Sequence, residues 1–440
     1  MAFRKRHIDI ISMGCSKNLI DSERLIRRLE KKGYTVSHNP ETPTGEYVMV
    51  NTCGFIGDAK EESINMLLEL AQLKEEGEIG RIAAMGCLTE RYLQDLKAEL
   101  PEIDLIYGKF DWPKFVTKLP DASHDASAAR EWERTLTTPP HSAYLKISEG
   151  CNRFCAFCAI PLITGRHHSR PEEEILDEVR ELVAKGVKEF NVIAQDLSSY
   201  GLDLYGEHRL ARLIDRMADI EGVEWIRLHY AYPADFPMDV LDVMTSRDNV
   251  CKYLDIALQH ISDPQLKRMR RHIDKNGTLQ LLEEIRRRVP GICLRTTLMV
   301  GFPGETDADF AELMEFVETQ KFDRMGAFAY SEEDDTYAAL NYDDDVTPEV
   351  KQERLDRLMA LQERISEELN ENMVGQRVRL LVDEYEGSTA ICRSEWDSPE
   401  VDLTYRVDGC TAGPGEFIEA EITEALPFDF IAKQISDCNR

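Results

Sequence analysis

From His7 to Cys15 the chain reads HIDIISMGC, a strand-like apolar run. The following NLIDSERLIRRLEKKG spaces its apolar residues three and four apart and stops at Gly33, as an amphipathic helix does. The pattern then repeats. EYVMVNTC predicts a second strand, and a helix follows over residues 58–76. RIAAMGC predicts a third strand, with a helix from about Thr89 to Leu100. Strands alternating with helices predict a parallel α/β domain. A second series begins after residue 142. AYLKIS, EFNVIAQ, WIRLHY, YLDIALQ, CLRTTLMVG and RMGAFAY are strand candidates, mostly separated by helical stretches. Six βα units predict an open or partial (β/α)6 barrel with its chemistry at the C-terminal strand ends. A long helix then starts at TPEVKQ, with Thr347 as its cap and Pro348 in its first turn. From about Met373 the runs shorten to QRVRLLVDEY, STAICRS, YRVDG and GEFIEAEIT, punctuated by Gly, Pro and Asp, which predicts a small antiparallel β-barrel.

The breaks in pattern divide the chain into an α/β domain at 1–117, a linker at 118–142, a barrel with its trailing helix at 143–372 and the small β-barrel at 373–440. The linker is polar, rich in Ala and Ser, and ends in a double proline.

Composition narrows the function. The 440 residues are 42% apolar and 31% charged, the texture of a globular domain protein. No apolar run reaches the about 18 residues of a membrane helix. The start, MAFRKRHIDIISMGCSKN, has no small-residue cleavage site and runs directly into a strand pattern, so the expected location is the cytoplasm. Acidic residues outnumber basic ones 82 to 53, giving a net charge of −29. Such a field attracts cationic partners and opposes polyanions. Eleven cysteines, an odd number, favour metal or redox chemistry over a disulfide framework.

Those cysteines fall into two groups. Cys15, Cys53 and Cys87 each follow the C-terminal end of a predicted strand, and in a parallel sheet those ends line one edge. Cys151, Cys155 and Cys158 lie together in SEGCNRFCAFCAIP, spaced C-x3-C-x2-C. Thiolates at this density hold zinc or an iron–sulfur cluster. Zinc needs a fourth ligand, which His167 or His168 could supply. A cluster on three cysteines leaves one iron open to a small molecule.

The spacing, with Phe157 before the third cysteine, resembles the radical S-adenosylmethionine superfamily motif. GCSKNLIDSE, NTCGFI and MGCLTERY resemble the N-terminal domain of the methylthiotransferases within it. PGEFIEAEITEALPFDFIA resembles a TRAM domain. The resemblance implies a 4Fe–4S cluster on Cys151, Cys155 and Cys158 that binds S-adenosylmethionine. It implies a second, auxiliary 4Fe–4S cluster on Cys15, Cys53 and Cys87 that binds the sulfur to be inserted. One branch of the family modifies adenosine in tRNA. The other methylthiolates the β-carbon of an aspartate in ribosomal protein S12. KNLIDSE and EWDSPEVD resemble the second branch, and the acidic charge agrees. The implied partners are S12, an external electron donor and a sulfur source, with no membrane and no tRNA.

Further candidates stand at strand ends. Gly301 and Gly304 in VGFPGET, and Gln195, are candidates for contact with S-adenosylmethionine; Asp196, Gln259 and His260 are candidates to face the same site. No particular residue is expected to act as acid or base. Cys251, Cys293, Cys392, Cys410 and Cys438 lack partners at ligand spacing and are expected to be inert. SEEDD and NYDDD are expected to be solvated loops. In the final barrel, six Lys or Arg stand against fourteen Asp or Glu from Met373 to Arg440, so a basic protein suits it better than RNA. Glu384, Glu386, Asp397 and Glu400 are the acids expected to meet that partner.

Overall fold

A computed structural model describes residues 3–120 and 130–435. The chain divides into two compact units. One comprises Met1–Thr138 with Glu149–Asn152 and Cys158–His167; the other comprises Pro139–Ser148, Arg153–Phe157 and His168–Arg440.

The first unit is built on a five-stranded parallel sheet in the order Thr35–His38, Arg4–Ser12, Gly45–Thr52, Arg81–Gly86, Leu105–Ile106. The three inner strands are those the apolar runs predict. The two edge strands escape the pattern because TVSH carries one strong apolar residue and Leu105–Ile106 is only two residues long. Helices Ser16–Lys31 and Gly57–Glu75 follow the expected periodicity. The helix expected from Thr89 to Leu100 is two helices, Cys87–Arg91 and Leu93–Glu99, because Tyr92 leaves helical geometry at φ −117° and ψ 32°. Two apolar layers flank the sheet. Leu25, Leu29, Trp112 and Phe115 cover one face, and Leu67, Leu70 and Ile103 the other.

Residues 121–129 of the expected linker lie outside the described residues. Its continuation is not a solvated tether. Trp132, Glu133 and Arg134 are buried. Glu133 meets Arg27 and Lys31 at 2.8 Å, and Arg134 pairs with Glu23. A carboxylate as buried as Glu23 needs a cation, and the segment supplies it.

The second unit contains a six-stranded, all-parallel sheet in the order Arg324–Ala329, Cys293–Val300, Val250–Ile256, Trp225–Ala231, Glu189–Ile193, Ser142–Lys146. Five of its helices are Glu172–Ala184, Leu210–Ala218, Lys275–Arg288, Asp307–Gln320 and Pro348–Glu371. Covered strands explain the near-continuous apolar runs. Thr347 caps the last of these helices by accepting from the Val350 N–H at 3.5 Å, with Pro348 in its first turn.

The C-terminal barrel closes with five strands in the order Arg377–Glu386, Thr389–Ser394, Thr404–Asp408, Asp429–Gln434, Phe417–Ala425. It is not wholly antiparallel, because Thr404–Asp408 and Asp429–Gln434 run parallel. The strand Asp429–Gln434 has no counterpart in the pattern reading; closure needs it, since it joins two strands that would otherwise expose edges. EWDSPEVD is a docking segment against the six-stranded sheet. Glu395 O accepts from Arg227 at 2.7 Å, Asp397 pairs with Arg324 at 2.7 Å, and Asp402 accepts from the Tyr253 hydroxyl at 2.8 Å.

Beside it sits a buried carboxylate. Glu189 receives Arg393 from the barrel through two bonds of 2.8 and 2.7 Å, Arg227 at 3.0 Å and the Ser142 hydroxyl at 2.7 Å. Burial alone would raise its pKa, but Arg393, Arg227 and Ser142 outweigh it and hold the carboxyl at about 2 against an ordinary 4.5. A value lowered on folding adds stability that is complete above pH 4.5 and lost as pH falls through 2. That gap corresponds to about 3 kcal/mol. Glu189→Gln should therefore lower stability at pH 7 by about 3 kcal/mol and flatten its decline below pH 4.5. Urea midpoints across pH 3–7 check this; an unchanged profile would refute the role given to Glu189.

Candidate metal centres

The trio Cys15, Cys53 and Cys87 emerges from three adjacent strands of the first unit. Arg4–Ser12 leads to Cys15, which precedes the helix at Ser16; Gly45–Thr52 ends immediately before Cys53; Arg81–Gly86 ends immediately before Cys87. Close approach is built in. Gly14 adopts φ +84°, and a Cβ there would stand 2.8 Å from Cys53 Sγ. Asn18, one turn into the helix, donates to Met13 O and Thr52 O at 3.2 and 3.1 Å, and its Oδ1 lies 3.5 Å from Cys87 Sγ. Asn51 Nδ2 in turn donates to Asn18 O at 2.7 Å. Cys53 is pinned from the other side, its N–H donating to the buried Ser63 hydroxyl at 3.0 Å.

The thiols differ in character. Cys15 is exposed; Cys53 and Cys87 are buried. Desolvation works against the Cys15 thiolate, but Lys17, the Asn18 N–H and Lys109 outweigh it, so its thiol is lowered. Burial raises Cys53, and the charge of Cys15 adds to that. Burial pushes Cys87 up to about 12, with Lys109 opposing and Cys15 and Cys53 reinforcing the rise. Cys15 thus opposes the ionisation of Cys53 and Cys87, and Cys53 that of Cys87; a bound cationic centre inverts that logic. Lys109 is the buried counter-charge. Burial disfavours its ammonium, yet Asp21, whose carboxylate is 2.8 Å away, Glu149 and Cys87 hold it protonated.

The second group follows the strand Ser142–Lys146. Cys151 and Cys158 belong to the first unit and Cys155 to the second. In the first unit, the Cys151 N–H donates to Gly165 O at 3.2 Å, and the His167 N–H to Asn152 Oδ1 at 3.2 Å. Ala159 and Ile163, on either side of the turn that follows Cys158, are buried together with Cys87. In the second unit, Cys155 is buried, and Arg271 Nη1 donates to its sulfur at 3.1 Å. Ala156 is held by backbone bonds to Met269 and Ala338, and Phe157 packs edge-on against Phe302 at 6.3 Å. His168 is 80% exposed and lies 3.5 Å from Asp203.

Among the described residues no three Cys, His, Asp or Glu side chains are grouped as the ligands of one ion would be. A single ion gathers its donors into one coordination sphere, whereas a cluster taking one thiolate per iron spreads them across its own width. Each candidate group of cysteines has a buried cation beside it, Lys109 and Arg271. Soft donors with nearby positive charge suit iron–sulfur chemistry.

The remaining candidates lie at the C-terminal edge of the six-stranded sheet, and the structure gives most of them packing duties. A Cβ on Gly301, at φ +70°, would meet Lys351 Cγ at 2.3 Å, and one on Gly304, at φ +78°, would meet the Arg268 guanidinium at 2.9 Å. Lys351 and Arg268 therefore account for both glycines. Gln195 lies two residues past the strand Glu189–Ile193. Asp196 is buried and holds Arg153 at 2.8 Å and the Ser199 hydroxyl at 2.6 Å. Gln259 joins the sheet through its backbone, bonded to Thr297 and Met299. His260 accepts from the Ser262 N–H at Nδ1, so Nε2 carries the proton and donates to Glu305 at 3.1 Å. Glu305 also accepts from the Gly301 N–H and from Arg354.

The acid-rich loops are only partly solvated. Glu333 is buried, Asp344 pairs with Lys351, and Asp345 accepts from the Gly304 N–H. Cys251, Cys293 and Cys392 are buried, with thiols raised first of all by burial. Cys438 lies outside the described residues. The pattern reading passed over Asn18, Lys109 and Arg271. Asn18 and Lys109 carry no spacing signal. Arg271 stands in a basic run, RMRRH, with nothing to mark it as buried.

Three segments match family models: residues 7–108 the Uncharacterized protein family UPF0004, residues 145–317 the Radical SAM superfamily, and residues 374–435 the TRAM domain. Together with the fold they define an enzyme of the radical S-adenosylmethionine class with an appended TRAM barrel. Proteins named ribosomal protein uS12 methylthiotransferase RimO are similar over nearly the whole chain. That of Bacteroides fragilis is 58% identical over 98% of this chain and all of its own length. That of Flavobacterium johnsoniae is 48% identical over 97% and 98%. The chain belongs to this methylthiotransferase family. Among solved structures, the radical S-adenosylmethionine methyltransferase TsrM from Kitasatospora setae, determined with cobalamin and a 4Fe-4S cluster bound, shares the fold at TM-score 0.56 and 15% identity, over 76% of this chain and 77% of its own. The cobalamin-dependent radical enzyme OxsB shares it at 0.51 and 13%, over 81% and 56%. Among the described residues no helix is long and apolar enough to cross a membrane.

In metal-free protein the contrast between the thiols becomes a rate. Cys15, exposed and lowered, should be alkylated by iodoacetamide at pH 7.5 at least about a hundredfold faster than Cys87. Peptide mass spectrometry over a time course checks this. Equal rates would contradict the packing described here.

Proposed function

We propose that this chain inserts a methylthio group at the β-carbon of an aspartate in ribosomal protein S12. Cys151, Cys155 and Cys158 would hold one 4Fe–4S cluster, and Cys15, Cys53 and Cys87 another. When bound, the first supplies with S-adenosylmethionine a radical able to break an unactivated C–H bond, and the second supplies the sulfur. A β C–H bond beside a carboxylate is too weakly acidic for a side-chain base, which is the chemical reason for a radical tool.

The observation that carries this reading is the packing of Ala159 and Ile163, next to Cys158, with Cys87 of the trio in one apolar cluster. An apolar cluster that holds Cys87 together with the residue after Cys158 suits the passage of sulfur from one site to a carbon activated at the other. The protein's own residues hold this arrangement. Asn18 ties the ends of two strands to the first helix, and Asp21 keeps Lys109 charged beside Cys87. An external one-electron donor and a sulfur source complete the requirements.

The barrel's charge supports a basic protein substrate. Of its six basic residues, Arg379, Arg393 and Arg406 are engaged in ion pairs with Glu224, Glu189 and Glu386. Asp397 is fully buried against Arg324 and cannot meet a partner; Glu384, Glu386 and Glu400 are exposed.

Reconstituted enzyme offered both S12 and tRNA should add the mass of a methylthio group to S12 alone, read by peptide mass spectrometry. A methylthiolated nucleoside as the only product would overturn the assignment. Replacing Glu384, Glu386 and Glu400 by Gln should weaken S12 binding severalfold at low salt and hardly at all at high salt, since rim charges act through long-range attraction. A binding titration at two ionic strengths reads this. Salt-independent binding would argue against electrostatic docking.

A further inference from the structure

Arg271 is nearly fully buried and is aimed at a cluster cysteine from the second unit's own framework. Its Nη1 lies 3.1 Å from Cys155 Sγ, and Nη2 donates to Ala257 O. The guanidinium lies over the Tyr232 ring at 4.2 Å, and Arg153 covers the same ring at 4.3 Å, itself tied to Asp196. The Tyr232 hydroxyl is 3.9 Å from Cys155 Sγ, but its proton is committed to Arg271 O at 2.5 Å. Arg271 is thus the charged donor to this sulfur. Its neighbours Arg270 and His272 both adopt left-handed backbone, at φ +58° and +56°. Two departures of this kind, one on each side of an inward-pointing side chain, mark a conformation maintained by its surroundings.

We propose that Arg271 is a positioning residue that sets the reduction potential of the cluster held by Cys155. This rests on the assignment of Cys155 as a cluster ligand. A hydrogen bond to a ligating sulfur, and a fixed positive charge beside it, both stabilise the state with one more electron. Arg serves here because its guanidinium stays charged when buried and its fork can hold Ala257 O and the sulfur at once. The electron comes from an external donor, and Arg271 neither gains nor loses a proton.

The test uses the full-length chain with Cys15, Cys53 and Cys87 replaced by Ser, so that a single reconstituted cluster is read. Iron content and an EPR-monitored titration with dithionite are measured for this protein, for Arg271→Met and for Arg271→Lys. Arg271→Met should keep its iron yet show a reduced-to-oxidised ratio about tenfold lower at a fixed potential, about 59 mV for one electron. Arg271→Lys, which keeps the charge, should recover part of the loss. S-adenosylmethionine affinity should be unchanged in both. A potential equal to the parent's, or a potential unchanged while cofactor affinity falls, would overturn the proposal; the latter would assign Arg271 to the cofactor's carboxylate. A parent that binds no four-iron cluster would overturn the ligand assignment itself, and with it this inference.

Discussion

Like charges do not gather without help, and the first unit is organised around making three of them gather. Burial is the main cost of ionising Cys53 and Cys87; Cys15 adds to it at both, and Cys53 adds to it at Cys87. The parallel sheet delivers them to one edge, Gly14 lets Cys53 come close, and Lys109 supplies the opposite charge. Asp21 is part of the same device, because with Glu149 and Cys87 it offsets the burial that disfavours the Lys109 ammonium.

The second unit applies the same rule to architecture. Glu189, on the strand next to the sheet's edge, is matched by Arg393 from the barrel and Arg227 from the neighbouring strand. Asp383 and Asp397 take up the remaining charge on Arg393 and Arg324. A barrel fixed through buried, mutually satisfied ions keeps a defined orientation on the sheet, because sliding would strand a charge in an apolar setting. Its exposed acids are thereby presented in a constant position. Cys155 sits in the same framework, with Arg271 fixed by bonds to Ala257 and by stacking on Tyr232.

Much of this was legible from the order of residues, for physical reasons that can be named. The inner strands of the first unit are buried on both faces, so their apolar runs stand out, and the cysteines at their ends follow from topology alone. TVSH and Leu105–Ile106 were illegible because edge strands are short and need few apolar residues. The linker misled because Glu133 and Arg134 look solvated until Arg27, Lys31 and Glu23 are seen facing them. Asp397 misled likewise: an acid in an acid-rich barrel reads as surface, yet Arg324 buries it. Gly301 and Gly304 were read as room for a ligand; Lys351 and Arg268 show a second reason why neither position accepts a side chain. Strand ends singled out Cys15, Cys53 and Cys87, and spacing Cys151, Cys155 and Cys158; the cations beside them carry no such mark, since a buried Lys or Arg differs from an exposed one only in its surroundings.

Iron content separates the two thiolate groups most directly. Anaerobically reconstituted protein should hold about eight irons per chain, and Ala in place of either Cys15, Cys53 and Cys87 or Cys151, Cys155 and Cys158 should leave about four, by the one-cluster-per-group logic of thiolate ligation. Only the variant that keeps Cys151, Cys155 and Cys158 should still cleave S-adenosylmethionine. A full complement of iron in either variant, or cofactor cleavage surviving in the variant that lacks Cys151, Cys155 and Cys158, would contradict the division of labour on which this account stands.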